Sequence, residues 1–298
     1  MSTILDRTSA APISWGICEV PGWGMQLPVD RVLGEMRDTG FGATELGSAG
    51  YLPTDPAELV QLLDEYGLSL NGGFVPLALH DRANADAVRA SAIEAADLLA
   101  AGGALHYITC PVSDPSSWER PGLSDDEWAF MMESIDWLSG ECEARGLTQT
   151  VHCHVDSLLE TEDEVRRMLA ETSAQVVLET GHLSIGGFDP VEMATDFADR
   201  VGLVHLKDLD RGVAARLNAK ELTLMEAVQA GLFPPLGDGD LDLTKVITQL
   251  EAGGYAGWYV IEQDVAITDG EPPVGEGPVL GVRQSVAYIR SVEESLSN

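Results

Sequence analysis

The feature that most limits how this chain can fold is an alternation. Short apolar runs, each followed by a turn and an amphipathic stretch, recur eight times along 298 residues. The runs are PISWGI (12–17), ATELG (43–47), LSLNGGFV (68–75), LHYITCPV (105–112), LTQTVHCH (147–154), AQVVLE (174–179), GLVHL (202–206) and GWYVIE (257–262). Eight strands alternating with helices predict a (β/α)8 TIM barrel, with a doubly wound open sheet as the rival. No GxGxxG follows the first run, which weakens the dinucleotide-binding version of that rival.

The stretches between the runs carry helix signals. Val29, Val32, Leu33 and Met36 share one face at three-and-four spacing. Thr161 to Glu164 reads as a capping box, and Asp55-Pro56 and Asp189-Pro190 place a proline at the first helical position. The expected organisation is a short N-terminal tail (1–10) and a single barrel domain (11–298). Its longest connection, 208–256, holds the helical piece LTLMEAVQAGLF and the glycine-rich PPLGDGDLDL, an insertion placed near the barrel mouth.

Charge narrows the partners. The formal net charge is −32, with only three lysines, Lys207, Lys220 and Lys245, so most of the surface repels nucleic acid and anionic membrane. A salt-rich cytoplasm would explain such acidity as a device for solubility. The N-terminus lacks a basic start and an apolar core segment, no run is long enough to span a bilayer, and the four cysteines are far apart. A cytoplasmic protein with free thiols is expected, compatible with a homo-oligomer, acting on a small molecule.

In a barrel the polar residues to examine are those at the C-terminal ends of strands. The fifth run offers His152 and His154, the sixth Glu179, the seventh His205 and the eighth Glu262. His152 and His154 share one face of their strand, as do His205 and Lys207. Imidazoles and carboxylates converging there suit a borderline divalent ion such as Mn, Co, Zn or Fe. A single strand histidine is more often a hydrogen-bonded core residue than a ligand; recurrence on consecutive strands favours the site. His182 could reach a substrate hydroxyl, or simply bond locally at a helix start. Lys207 could polarise a carbonyl or exchange a proton, or simply pair with a carboxylate such as Asp208. Trp15, Glu19, Trp23 and Glu45 are candidates to line a polyol site, the alternative being tryptophans in the core.

Taken together, ISWGICEVPGWG, ATELG, TVHCHVDSLLET, LETGHLSIGG, VHLKD, PLGDGDLDL and GWYVIEQD resemble the inosose dehydratase group of the xylose isomerase-like TIM-barrel superfamily. The resemblance runs from about residue 10 to 290 and implies a divalent-metal enzyme acting on a polyol ketone. Its metal set falls on His152, Glu179, His205 and Glu262, with His154 as a substitute for His152. Asp156 and Asp208 are added as substrate-side carboxylates. The chain departs from the group at Glu179, usually aspartate, where the extra methylene moves the carboxylate by up to ~1.5 Å. It departs again at Asp156, often glycine.

The implied reaction is dehydration of a keto-inositol such as 2-keto-myo-inositol through an enediolate. Glu262 or Lys207 would be the base and His182 or His154 the acid. Returning the proton elsewhere would make an isomerase or epimerase, and the same elimination on 3-keto-glycosides a lyase. The non-enzymatic alternative is a silent polyol-binding barrel.

Overall fold

The computed structural model describes residues 3–297. Eight parallel strands close into a barrel in sequence order: β1 (Thr8–Ala10), β2 (Ala43–Glu45), β3 (Ser69–Leu77), β4 (His106–Pro111), β5 (Thr148–Val151), β6 (Gln175–Glu179), β7 (Val201–Leu206) and β8 (Tyr259–Ile261). Pairing of Thr8–Ala10 with Tyr259–Ile261 completes the circle and removes the open-sheet rival.

Eleven α-helices accompany the strands among the described residues: α1 (Val29–Thr39), α2 (Pro56–Tyr66), α3 (Ala85–Ala101), α4 (Asp125–Glu143), α5 (Glu162–Glu171), α6 (Thr180–Ile185), α7 (Pro190–Asp196), α8 (Arg211–Asn218), α9 (Leu224–Gln229), α10 (Leu243–Ala252) and α11 (Pro278–Leu296). Their starts follow the sequence signals. Asp55 and Asp189 accept backbone N–H bonds ahead of a proline, and Thr161 with Glu164 forms the full capping box. Along α1, Val32, Leu33 and Met36 are buried on the expected face, and Gly40, at φ 100°, ends the helix in a conformation that suits glycine.

Two expectations move. The run 12–17 is not a strand: Pro12–Trp15 forms a 3₁₀ turn closed by Gly16 at φ 85°. Proline has no N–H to give a ladder, so the strand lies upstream, and residues 8–10 of the expected tail become β1. The insertion 208–256 also shrinks, because α10 buries Leu243, Val246, Ile247 and Leu250 and leads into β8 as a regular barrel helix. The extra piece is 208–242, carrying α8 and α9.

The barrel interior is layered. Ile108, Val177, Leu203 and Val260, with Ala11, form a buried apolar cluster. Side chains two residues further along a strand share the same face, about 6.6 Å higher. That next layer contains Glu179, His205 and Glu262, so an apolar floor lies beneath the polar mouth. All four cysteines are free, and among the described residues no helix is long and apolar enough to cross a membrane.

Candidate metal centre and active site

His152 follows the last residue of β5, His205 lies near the end of β7, and Glu262 follows β8. Each offers a ligand atom within 4.8 Å of the other two, and both imidazoles are buried. His205 is held from both sides: Nδ1 lies 3.0 Å from Glu262 Oε2 and Nε2 3.0 Å from Glu45 Oε1. Burial opposes charge on this ring, but the two carboxylates outweigh it and raise its pKa well above the ordinary histidine value. Glu45, at the end of β2, therefore reaches across the mouth to orient His205.

Two buried imidazoles and a carboxylate are a donor set for a borderline divalent ion. The fit is supported by His152 Nδ1, buried without a hydrogen-bond partner. His152 is a better ligand candidate than His154, whose Nδ1 lies 2.6 Å from the Val155 carbonyl and whose ring lies 3.8 Å from that of His182.

Glu179 does not join this triad. Its Oε1 accepts from the backbone N–H groups of Gly181 (3.2 Å) and His182 (3.4 Å), so the carboxylate caps the short helix that starts beside it, while Oε2 is buried without a partner. Burial pushes this carboxyl up to about 8, against the pull of Lys207.

Lys207 fills the centre of the mouth. Its Nζ lies 2.8 Å from Asp264 Oδ1, 3.0 Å from Glu262 Oε2, 3.8 Å from Glu179 Oε1 and 3.2 Å from His182 Nε2. The Asp264 contact is an ion pair off the hydrogen-bonding angle, since Oδ1 makes no hydrogen bond. Burial works against the ammonium, but Asp264, Glu262 and Glu179 outweigh it and raise its pKa above the usual lysine value. Lys207 is therefore held as the ammonium. Burial, aided by Lys207, lowers the pKa of both His154 and His182, and His154 lowers that of His182 further.

Other expected site residues do different work. Trp15 is wholly buried and donates to Glu35 Oε2 at 2.9 Å, because the turn that replaced the first strand drives it into the outer core. Trp23 is buried with Val155, Ile185 and Phe233 and donates to the Val265 carbonyl, so it supports the cap over the mouth. Glu19 is exposed on the loop between them. Asp156 takes a left-handed φ of 64°, which explains why glycine suits that position, and pairs at 3.9 Å with exposed Lys220. Asp208 is buried and accepts the backbone N–H groups of Leu209, Gly237, Gly239 and Leu241, tying the glycine-rich segment to the end of β7.

Sequence reasoning missed Asp264, Phe74, Trp118 and Phe233. Asp264 follows Glu262 at the same period-two spacing that links His205 and Lys207, and that spacing is the signal for it. Phe233 lies in the insertion, its ring 4.7 Å from Lys207 Nζ. Two surface depressions lie elsewhere: about 770 Å³ beside α2, and about 540 Å³ at the opposite end of the barrel near Gln175 and Gly257.

The comparisons with known proteins agree with this architecture. The model of the xylose isomerase-like TIM barrel family matches residues 33–292. The chain is 30% identical over 275 residues to an inosose dehydratase of Geobacillus kaustophilus (strain HTA426), covering 88% of this chain and 89% of that one. It is 33% identical over 263 residues to the rhizopine catabolism protein MocC of Rhizobium meliloti, covering 85% and 80%. Among solved structures, the IolI protein with a binding zinc atom superposes with a TM-score of 0.71 at 12% identity, covering 97% of this chain and 98% of that one. The barrel, the polar layer at its mouth and these relatives together establish that the chain belongs to the xylose isomerase-like TIM-barrel family, within its inosose dehydratase-like group.

Proposed function

We propose that this protein is a divalent-metal-dependent dehydratase of a keto-inositol of the 2-keto-myo-inositol type. The observation that carries the reading is the buried group His152, His205 and Glu262 beside the charged Lys207, in a chain related to inosose dehydratases along most of its length. An ion held by those three side chains would supply a Lewis acid for a ketone oxygen and a neighbouring hydroxyl.

The chain's own groups divide the remaining work. Glu45 holds His205 Nε2 and orients the ring, leaving Nδ1, beside Glu262, as the nitrogen that would face an ion. Glu179, with one oxygen free of partners, takes the proton from the carbon next to the carbonyl in its ionised form, which burial confines to pH near and above 8. Lys207 Nζ protonates the departing β-hydroxyl, which leaves as water, and His182 Nε2 orients the ammonium. Asp264 counterbalances that charge from the far side. The apolar floor and Phe233 keep bulk water from competing for these protons.

The test is metal-replete protein with 2-keto-myo-inositol in deuterated water, followed by mass spectrometry. Loss of one water per molecule is expected. Deuterium uptake without loss of water would overturn dehydration in favour of isomerisation or epimerisation.

A further inference from the structure

We infer that Phe74 and Trp118 form an aromatic wall that recognises the axial C–H face of a cyclic polyol ketone and rejects a ring presenting an axial hydroxyl to it. The inference rests on the keto-inositol reading and adds the stereochemistry of its substrate.

Phe74 stands on β3, and Trp118 on the loop between β4 and α4. Their rings are nearly parallel, 9° apart in plane, with centroids 6.2 Å apart. Phe74 meets His152 edge-on at 5.3 Å, and Trp118 meets His154 at 5.0 Å. His154 in turn lies 3.8 Å from His182, the partner of Lys207. The wall is thus continuous with both the ligand candidate His152 and the proton-donating lysine. Both aromatic side chains are only half-buried, unlike the buried tryptophans 15, 23 and 128.

The placement of Trp118 is maintained against local cost. Its φ of 53° is left-handed, which a bulky residue adopts only where its surroundings impose it. Arg120, two residues on, supplies the restraint: Nε donates to the Ser157 carbonyl at 2.9 Å and pairs with Glu160 at 3.0 Å, and the same guanidinium binds Glu164. The loop is braced to the segment that follows His154.

Aromatic faces offer C–H groups a favourable surface and give a hydroxyl no good partner. In 2-keto-myo-inositol every hydroxyl is equatorial, so both ring faces present only axial C–H. A single axial hydroxyl turned against the wall would be desolvated without a partner, a penalty worth about 5- to 150-fold in specificity.

The test compares kcat/KM for 2-keto-myo-inositol with that for both enantiomers of 1-keto-chiro-inositol, which place one axial hydroxyl on opposite faces. The wild type should disfavour one enantiomer by about 5- to 150-fold. Trp118→Ala should bring that ratio close to unity, and Trp118→Phe should retain most of it. Calorimetric titration with scyllo-inositol, an unreactive all-equatorial polyol, reads the wall without turnover and should weaken about tenfold in Trp118→Ala. An unchanged enantiomer ratio in a turning-over Trp118→Ala protein overturns the inference. Failure of the wild type to turn over any inosose, with scyllo-inositol binding still dependent on Trp118, overturns the dehydratase reading and leaves the wall standing.

Discussion

Replacing Asp208 by alanine should destabilise the protein more than removing any exposed carboxylate. The side chain is buried and accepts four backbone N–H groups, at 2.9 Å from Leu209, 2.8 Å from Gly237, 3.1 Å from Gly239 and 3.2 Å from Leu241. Hydrogen bonds to a charged acceptor contribute ~1.5 kcal/mol or more each, and donors left buried without partners add their desolvation cost. Four bonds sharing one carboxylate do not add fully, so the expected loss is about 3–5 kcal/mol. For a domain of this length that lowers Tm by about 5–8 °C. Gly239→Ala provides an independent route, since a Cβ there would sit 2.3 Å from Asp208 Oδ1. Thermal and urea unfolding should show each single variant destabilised and the double variant little worse than either. A loss below about 1 kcal/mol in Asp208→Ala, or full additivity in the double variant, would refute the knot.

Other outcomes follow from the same contacts. Burial, aided by His205, lowers His106 to about 4. Because the unfolded side chain titrates near ~6.5, its folded state is fully stable above that pH and loses stability as pH falls toward 4. His106→Gln should therefore recover about 2.5 kcal/mol of the pH 7 to pH 4.5 loss measured by urea midpoints, and identical pH dependence in both proteins would refute this. Arg31 is buried, pairs with Glu35 at 3.2 Å and donates to the carbonyls of Pro272 and Pro273, so Arg31→Ala should cost about 3–5 kcal/mol by leaving the buried Glu35, still bonded to Trp15 and Gly275, without its cation. Thr161→Ala, which removes half of a capping box, should cost only about 1 kcal/mol in the same assay.

Much of the barrel is legible in the sequence because period-two and period-3.6 patterns register burial directly. The shared face of His205 and Lys207 at the end of β7 follows from spacing alone. The first strand was displaced because three residues, Thr8–Ala10, carry too short a pattern to stand out against the apolar PISWGI beside them. Trp15 and Asp208 are site candidates by residue type alone, and type does not say whether an indole faces a ring or a glutamate, or whether a carboxylate meets a sugar or four amides. Glu179 was legible as a departure, but its capping of the next helix depends on backbone direction after β6. The wall residues Phe74 and Trp118 meet only when the loop after β4 folds over the end of β3, a long-range fact no local window contains.

The central claim is tested most directly by measuring bound metal and loss of water from 2-keto-myo-inositol on the same samples: wild type, His152→Ala and Glu179→Gln, each reconstituted with Mn, Co, Zn or Fe. The account predicts about one ion per wild-type chain with dehydration, both lost in His152→Ala, and an ion retained without turnover in Glu179→Gln. An ion that survives His152→Ala, or a loaded wild-type protein that leaves 2-keto-myo-inositol unchanged, would contradict it.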